Sequence, residues 1–396
     1  MEALQPLLYE AVQLLQRLTT PSGILASTVA ADNYKRIWAR DSVVCGFAGI
    51  LIKDQTIIEG LKNSLLTLAN GQHELGMIPS NVLPETKEEV SYGSLAGRID
   101  ANTWFIIGCC MYYGETRDEA TWNLLKPAVQ RCRRFLNTVE FNDKGWIYTP
   151  LSGNWADEYP IHGYTLYDNM LRILGEQLWS GINGEQWSDW EDFMERTRTN
   201  FWPLQNANAE HIYHKNAFQK AAASNPGHYA SFILPGYYDM RFDAAGMALA
   251  LELMPPDTQQ KADLQNYLNI LRTEVGSNLI PAFWPILDEQ SPDWNLLEGN
   301  YSYDFKNKPG YFHNGGVWPV WMGLFCLGLT HSGMHDEAER IIAEFIQRIA
   351  GDDNWDFHEY MNAKDFAFEG KTKMGYTASG IVFMYIALGH IQNSKK

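Results

Sequence analysis

The chain has 396 residues, 45% hydrophobic and 20% charged, an ordinary globular composition. Its 47 acids against 31 lysines and arginines give a formal charge of −16 with no basic cluster, which excludes nucleic acid and anionic membrane as expected partners. The opening "MEALQPLLYEAVQLLQ" lacks the basic start and apolar run of a leader, no apolar stretch reaches the roughly 20 residues of a membrane span, and Cys45, Cys109, Cys110, Cys132 and Cys326 lack metal-ligand spacing, so a reduced, cytoplasmic protein is expected.

In chain order the hydrophobic period is helical almost throughout. Helices are expected over residues 3–18, 41–53, 55–70, 100–114, 118–139, 163–180, 187–200, 241–254, 257–275, 313–330, 335–350 and 375–391, in a single domain spanning 1–396. Their character alternates. "HDEAERIIAEFIQRIAG" carries one apolar stripe (Ala338, Ile341, Ile342, Phe345, Ile349), and "KADLQNYLNILR" another (Leu264, Tyr267, Leu268, Leu271). One stripe marks a surface helix, whereas a helix apolar all round is buried on every side. "DANTWFIIGCCMYYG", "HNGGVWPVWMGLFCLGL" and "MGYTASGIVFMYIALGH" are of the second kind. Twelve helices alternating outer and inner fit an all-α (α/α)6 barrel.

Polar clusters recur at or before the expected inner-helix starts. They are Arg40–Asp41, Arg98 with Asp100, Asp157–Glu158, Arg241 with Asp243, His313–Asn314, and Glu359. One acid at a helix start is ordinarily an N-cap. Capping does not account for the accompanying arginines, nor for Trp38, Trp104, Trp146, Trp155, Trp318 and Trp355 beside the clusters. In a barrel these ends converge on one mouth. Aromatic walls with a few placed polar groups describe a site for a small, hydroxyl-rich ligand such as a sugar. "HSGMH" sets His331 and His335 four apart, a zinc-compatible spacing, but Gly333 between them marks a turn, and no metal is expected.

The order of these segments resembles the six-hairpin glycosidases. "SGNWADEYPIHGYTLYDNML" (152–171) is similar to the acid-bearing segment of the neutral/alkaline invertases, and "FHEYMNAKDFAFEGKTKMGYTASGIVFMYIALG" (357–389) to their Glu-Tyr segment and closing helix. "NYKRIWARD" (33–41) and "HNGGVWP" (313–319) are similar to segments of the same family, and also to trehalases, glucoamylases and processing α-glucosidases, in which an Arg-Asp pair holds the sugar. The resemblance runs from about residue 33 to 391. The pattern departs where invertases carry basic residues after the acid and this chain has Glu158–Tyr159.

The resemblance implies an inverting glycoside hydrolase that works without a cofactor. Its substrate would be an α-glucosidic bond in a disaccharide or short oligosaccharide, sucrose-, trehalose- or α-glucan-like. Inversion needs a protonated acid on the glycosidic oxygen and a carboxylate activating water on the opposite ring face. Asp157 is assigned as acid and Glu359 as base, with Glu158 the competing acid and Glu369 and Asp356 the competing bases. Trp38, Arg40, Asp41, Asp100, Trp155 and Trp318 are assigned to the sugar, with Arg241, Asp243, His313 and Asn314 behind them as weaker candidates. The 22-residue loop beginning at Asp288 is expected to cover the mouth. Two alternatives stand beside this reading: a sugar 2-epimerase, which would use paired histidines such as His313 and His358, and a non-catalytic carbohydrate-binding protein.

Overall fold

The computed structural model describes residues 4–29, 34–85, 89–141 and 144–394. Position 3 of the first expected helix, Asn33 of the "NYKRIWARD" segment, and the first residues of the chain lie outside them. Fourteen helices occur among the described residues. In chain order they are α1 (Gln5–Leu18), α2 (Ala39–Leu51), α3 (Gln55–Asn70), α4 (Ile99–Thr116), α5 (Glu119–Thr138), α6 (Leu166–Asn183), α7 (Trp190–Phe201), α8 (Lys215–Ser224), α9 (Ala244–Leu253), α10 (Thr258–Val275), α11 (Trp294–Glu298), α12 (Pro319–His331), α13 (His335–Ala350) and α14 (Gly375–Ser394).

Six of these close into a ring. Helix α2 packs on α4, α4 on α6, α6 on α9, α9 on α12, α12 on α14, and α14 returns to α2. The ring members are buried on nearly all sides; in α4 every residue from Ile99 to Cys110 is buried. Outside lie helices with one buried stripe: α1 against α14, α3 against α2, α5 against α4 and α13 against α12. Helix α13 buries the expected Ala338, Ile341, Ile342, Phe345 and Ile349. The chain is thus an (α/α)6 barrel, with inner and outer helices alternating along the sequence as the patterning requires.

Backbone contact between ring members is what glycine permits. A Cβ at Gly323 of α12 would run into the Gly380 carbonyl of α14, and one at Gly380 into the Pro319 carbonyl. Three of the outer helices start on polar caps: Asp54 accepts from Ile57 N at 3.0 Å, Asp118 from Thr121 N at 3.0 Å, and Asp257 with Gln260 forms a reciprocal capping box.

Three details depart from the sequence reading. Helix α12 begins at Pro319 rather than 313, because Phe312 (φ +50°) and Gly315 (φ +99°) turn the chain and Pro319 sets the first helical φ. His313 and Asn314 therefore stand in a loop before the helix. Helices α8 and α11 sit in connections and were not expected. Short antiparallel pairings of two or three residues also brace several inner-helix entries: Ile37–Trp38 pairs with Asn81–Val82 before α2, Tyr164–Thr165 with Phe232–Leu234 before α6, and Phe242–Asp243 with Phe283–Trp284 before α9. They are too short for alternation to reveal.

Candidate active site

The inner-helix N-termini surround a cavity of about 830 Å³, toward the upper end of small-molecule sites. Trp38, Arg40, Asp41, Trp155, Asp157, His313, Trp318 and Glu359 all line it, so eight of the twelve expected site residues meet in one place. Tyr34, Arg36, Arg98, Glu158, Lys306, Lys371 and Tyr376 line it too. A second groove, of about 760 Å³, runs along α13, but there Glu344 is already bonded to Ser277, Asn278 and Arg348.

One wall comes from the loop before α6. Arg98, just ahead of α4, donates to the Ser152 carbonyl, to the Asn154 carbonyl at 3.2 Å and to the Asp157 carboxylate. Asn154 is fastened from below, donating to Asp168 at 2.9 Å while accepting from Ala156 N at 3.1 Å. Asp157 retains 27% side-chain exposure, whereas the Glu158 residue is 5% exposed. Burial pushes the Asp157 carboxyl up, but the charge of Arg98, helped by that of Arg40, outweighs it and holds the group below its ordinary value. Glu158 moves the other way, raised by burial and by the charge of Asp157. Its Oε1 accepts from Ser302 N at 3.1 Å, while its buried Oε2 has no hydrogen-bond partner among the described residues.

The other acid comes from the loop before α14. Glu359 Oε1 accepts from the Tyr34 hydroxyl at 2.7 Å, and its Oε2 faces the Lys371 amide at 3.4 Å. Gly370, at φ +77°, allows the return strand to pass close: a Cβ there would stand 2.5 Å from Glu359 Oε2. Burial raises Glu359, and the Tyr34 hydroxyl works against that rise.

Between the acids lies an aromatic and ionic floor. Arg40 donates to Asp100 at 3.0 Å, lies 3.5 Å from Asp41 and sits over the Tyr376 ring. Burial raises Asp41 against the pull of Arg40. Trp155 meets His313 and Trp318 edge-on, and His313 stacks on Trp318 with centroids 5.3 Å apart. Burial lowers His313 to about 3, so the ring is neutral. Asp41 Oδ2, Trp155 Nε1, His313 Nδ1 and the Tyr376 hydroxyl are buried without hydrogen-bond partners among the described residues. Buried polar atoms are ordinarily paired, so this concentration marks where a polar ligand would complete the bonding.

Asp100, expected at the sugar, is corrected: it stands behind the lining, and so do Arg241, Asp243 and Asn314, the weaker candidates expected there, whereas His313 comes forward into the lining. Asp100 accepts from Arg40 of the lining. Arg241 is bonded through Nε to both Asp239 oxygens and reaches the Pro160 carbonyl. Asp243 caps α9, accepting from Ala245 N and Gly246 N at 3.0 Å each. Asn314 clamps the backbone of Leu287, accepting at 2.8 Å and donating at 2.8 Å. Trp104 is equally internal, donating to Tyr167, whose hydroxyl faces Asp100 at 3.4 Å. The competing bases are outside the lining as well: Glu369 accepts from Asn362 at 3.3 Å, and Asp356 lies 4.0 Å from Lys373. His313 is the one histidine in the lining among the described residues; His358 packs on Phe368 instead. His331 of the zinc-like pair is bonded to Glu252. All five cysteines are buried and free.

The sequence pattern of the alkaline and neutral invertases matches residues 174–393, more than half of the chain. The chain belongs to the alkaline and neutral invertase family. Among curated members of that family, it is similar to neutral/alkaline invertase 1, mitochondrial, of Oryza sativa subsp. japonica (26% identity over 151 residues, 38% of this chain and 23% of the relative). It is also similar to alkaline/neutral invertase C, mitochondrial, of Arabidopsis thaliana (25% over 171 residues, 43% and 24%). The matches span about a quarter of each relative's length. Among solved structures, a GH63 mannosylglycerate hydrolase from Thermus thermophilus in complex with glucose superposes with a TM-score of 0.58 at 15% identity, covering 96% of this chain and 99% of that one. A rhamnosidase from Klebsiella oxytoca with rhamnose bound gives 0.61 at 14%, covering 97% and 63%. At such identities the likeness is one of fold.

Beneath the floor of this invertase-family barrel, burial raises Asp168 and Asp243 to about 7 each. The charge of Asp100 adds to the rise at Asp168, and that of Asp168 to the rise at Asp243. A raised native carboxyl binds its proton more tightly than the unfolded chain does. Its contribution to stability is therefore full below about pH 4 and is lost as pH climbs through 7. Asp243→Asn keeps an acceptor for the α9 cap and removes the titration. Relative to the parent chain, the variant should gain stability between pH 5 and 8, by up to about 4 kcal/mol. Thermal melts across that range check it; parallel curves would contradict the assignment.

Proposed function

We propose that the protein is a glycoside hydrolase that cleaves an α-glucosidic bond in a disaccharide or short oligosaccharide with inversion, Asp157 serving as general acid and Glu359 as general base. The observation carrying this reading is that carboxylates from two distant segments, one before α6 and one before α14, line the same aromatic-walled cavity. Membership of the invertase family supports the reaction class, and sucrose is one candidate substrate. Arg40, Asp41 and Tyr376 hold the sugar on the floor, Trp155 and Trp318 wall it, and Glu359 draws the proton from a water beneath the ring. Asp157 protonates the glycosidic oxygen. Since Arg98 holds Asp157 ionised in the free site, the bound sugar must loosen that pair before the acid can carry its proton.

Asp157→Asn and Glu359→Gln preserve shape and delete one protonation role each. General acid–base help is worth about 10²–10⁴-fold, and each variant should lose at least that in kcat on a natural glycoside. A glycosyl fluoride needs little protonation of its leaving group, so it should restore much of the rate of Asp157→Asn and none of that of Glu359→Gln. Rescue of both, or of neither, contradicts the assignment.

The base must be ionised in the bound complex, where the sugar has released Asp157 from Arg98, so kcat should rise with pH through the Glu359 pKa, which burial holds above the ordinary glutamate value. Tyr34→Phe removes a donor that favours the carboxylate, which raises that pKa further. The ascending limb should move to higher pH in the variant; an unmoved limb would mean that another group is the base.

A further inference from the structure

Residues 299–307 cross the cavity mouth as a strap, tied to the acid-bearing loop at successive points. The Asn300 side chain accepts from the Ser152 hydroxyl at 2.8 Å, Ser302 N donates to Glu158 Oε1, and the Asn307 amide donates to the Glu158 carbonyl at 2.7 Å. A contact at 3.1 Å between the Ser94 and Ser302 hydroxyls links the strap to the opposite rim. Between its ties the strap offers Tyr303 to the cavity, with 78% of that residue exposed.

Glu158 is the feature that the acid–base pair leaves unused. One carboxylate oxygen is anchored by the strap, and the other is buried and unpartnered among the described residues. An acceptor buried without a donor costs about 1–3 kcal/mol, and more when charged. Its neighbour Asp157 faces the glycosidic oxygen in the proposed reaction, so Glu158 stands beside the departing group and away from the sugar held on the floor.

We propose that Glu158 and Tyr303 form the leaving-group half of the site, and that the natural leaving group is itself polyhydroxylated, a sugar or polyol, donating a hydroxyl to the free Glu158 oxygen while its carbon face lies on the Tyr303 ring. The assignment rests on the hydrolase reading and deepens it by naming the residues that hold the leaving group. Glu158 is a specificity determinant here, and the proton transfers remain with Asp157 and Glu359.

The test compares a disaccharide with the methyl glycoside of the same glycone. Both leave as alcohols, protonated by the acid, but the methyl group brings no further hydroxyls. Glu158→Gln can keep the Ser302 bond through its amide oxygen while turning the free atom from acceptor to donor. It should cut kcat/KM on the disaccharide about tenfold or more, mainly through KM, with a much smaller loss on the methyl glycoside. Tyr303→Ala alters an exposed side chain that the fold does not need, and should show the same selective loss. Equal losses on both substrates, or no loss on either, overturn the assignment while leaving the hydrolase intact. A parent protein that cleaves no glycoside overturns the hydrolase reading, and this assignment with it.

Discussion

Closing six helices into a ring that all start at one end brings their unbonded N–H groups and positive dipole ends together. Acids gather there in response. Asp41 and Asp100 lie in the first turns of α2 and α4, Asp168 in that of α6, and Asp243 caps α9. All four are buried, and Arg40 spans the first two, Asp41 and Asp100. The rest of the mouth depends on this arrangement. A dense negative floor must be neutralised by arginine, protonated, or capped by backbone N–H groups, and each solution occurs: Arg40 at Asp100, raised carboxyls at Asp168 and Asp243, and the double cap at Asp243.

The layer that carries Asp157 and Glu359 is built on top of that floor by loops. Asp168 reaches upward through Asn154 to the loop holding Asp157, and Arg98 ties the same loop to the start of α4. Glu359 arrives from the far side of the ring on a tight turn that Gly370 makes possible. The two carboxylates are therefore positioned by different helices of one rigid ring. Their separation is a property of the barrel, whereas the strap over them is a feature of the loops.

The fold was legible because burial leaves a one-dimensional trace. Residues facing protein on all sides are apolar at every turn, as in α4 and α12, and residues facing protein on one side repeat with the helical period, as in α13. The site was legible more coarsely. Charges beside tryptophans at inner-helix starts located the mouth, yet the same signal cannot separate a side chain pointing into the cavity from one turned into the wall. Asp41 and Asp243 read alike in sequence, but the first lines the cavity and the second caps a helix. The strap lies in the loop beginning at Asp288 that was expected at the mouth, but Tyr34 and Lys371 escaped because loop conformation carries no period, and only contacts across hundreds of positions, such as Tyr34 with Glu359, bring them in. Arg98 was visible in "GRID" at a helix start, the same pattern that singled out Arg40, and its tie to Asp157 was the part hidden in three dimensions.

The central claim is that two carboxylates act on opposite faces of one bound sugar, with water delivered directly to the anomeric carbon. Proton NMR of the sugar released in the first minutes of hydrolysis, before mutarotation scrambles the anomers, addresses it most directly. The account predicts that an α-glucoside yields the β-anomer. First-formed α-product would mean a covalent glycosyl intermediate, and would contradict the role given to Glu359.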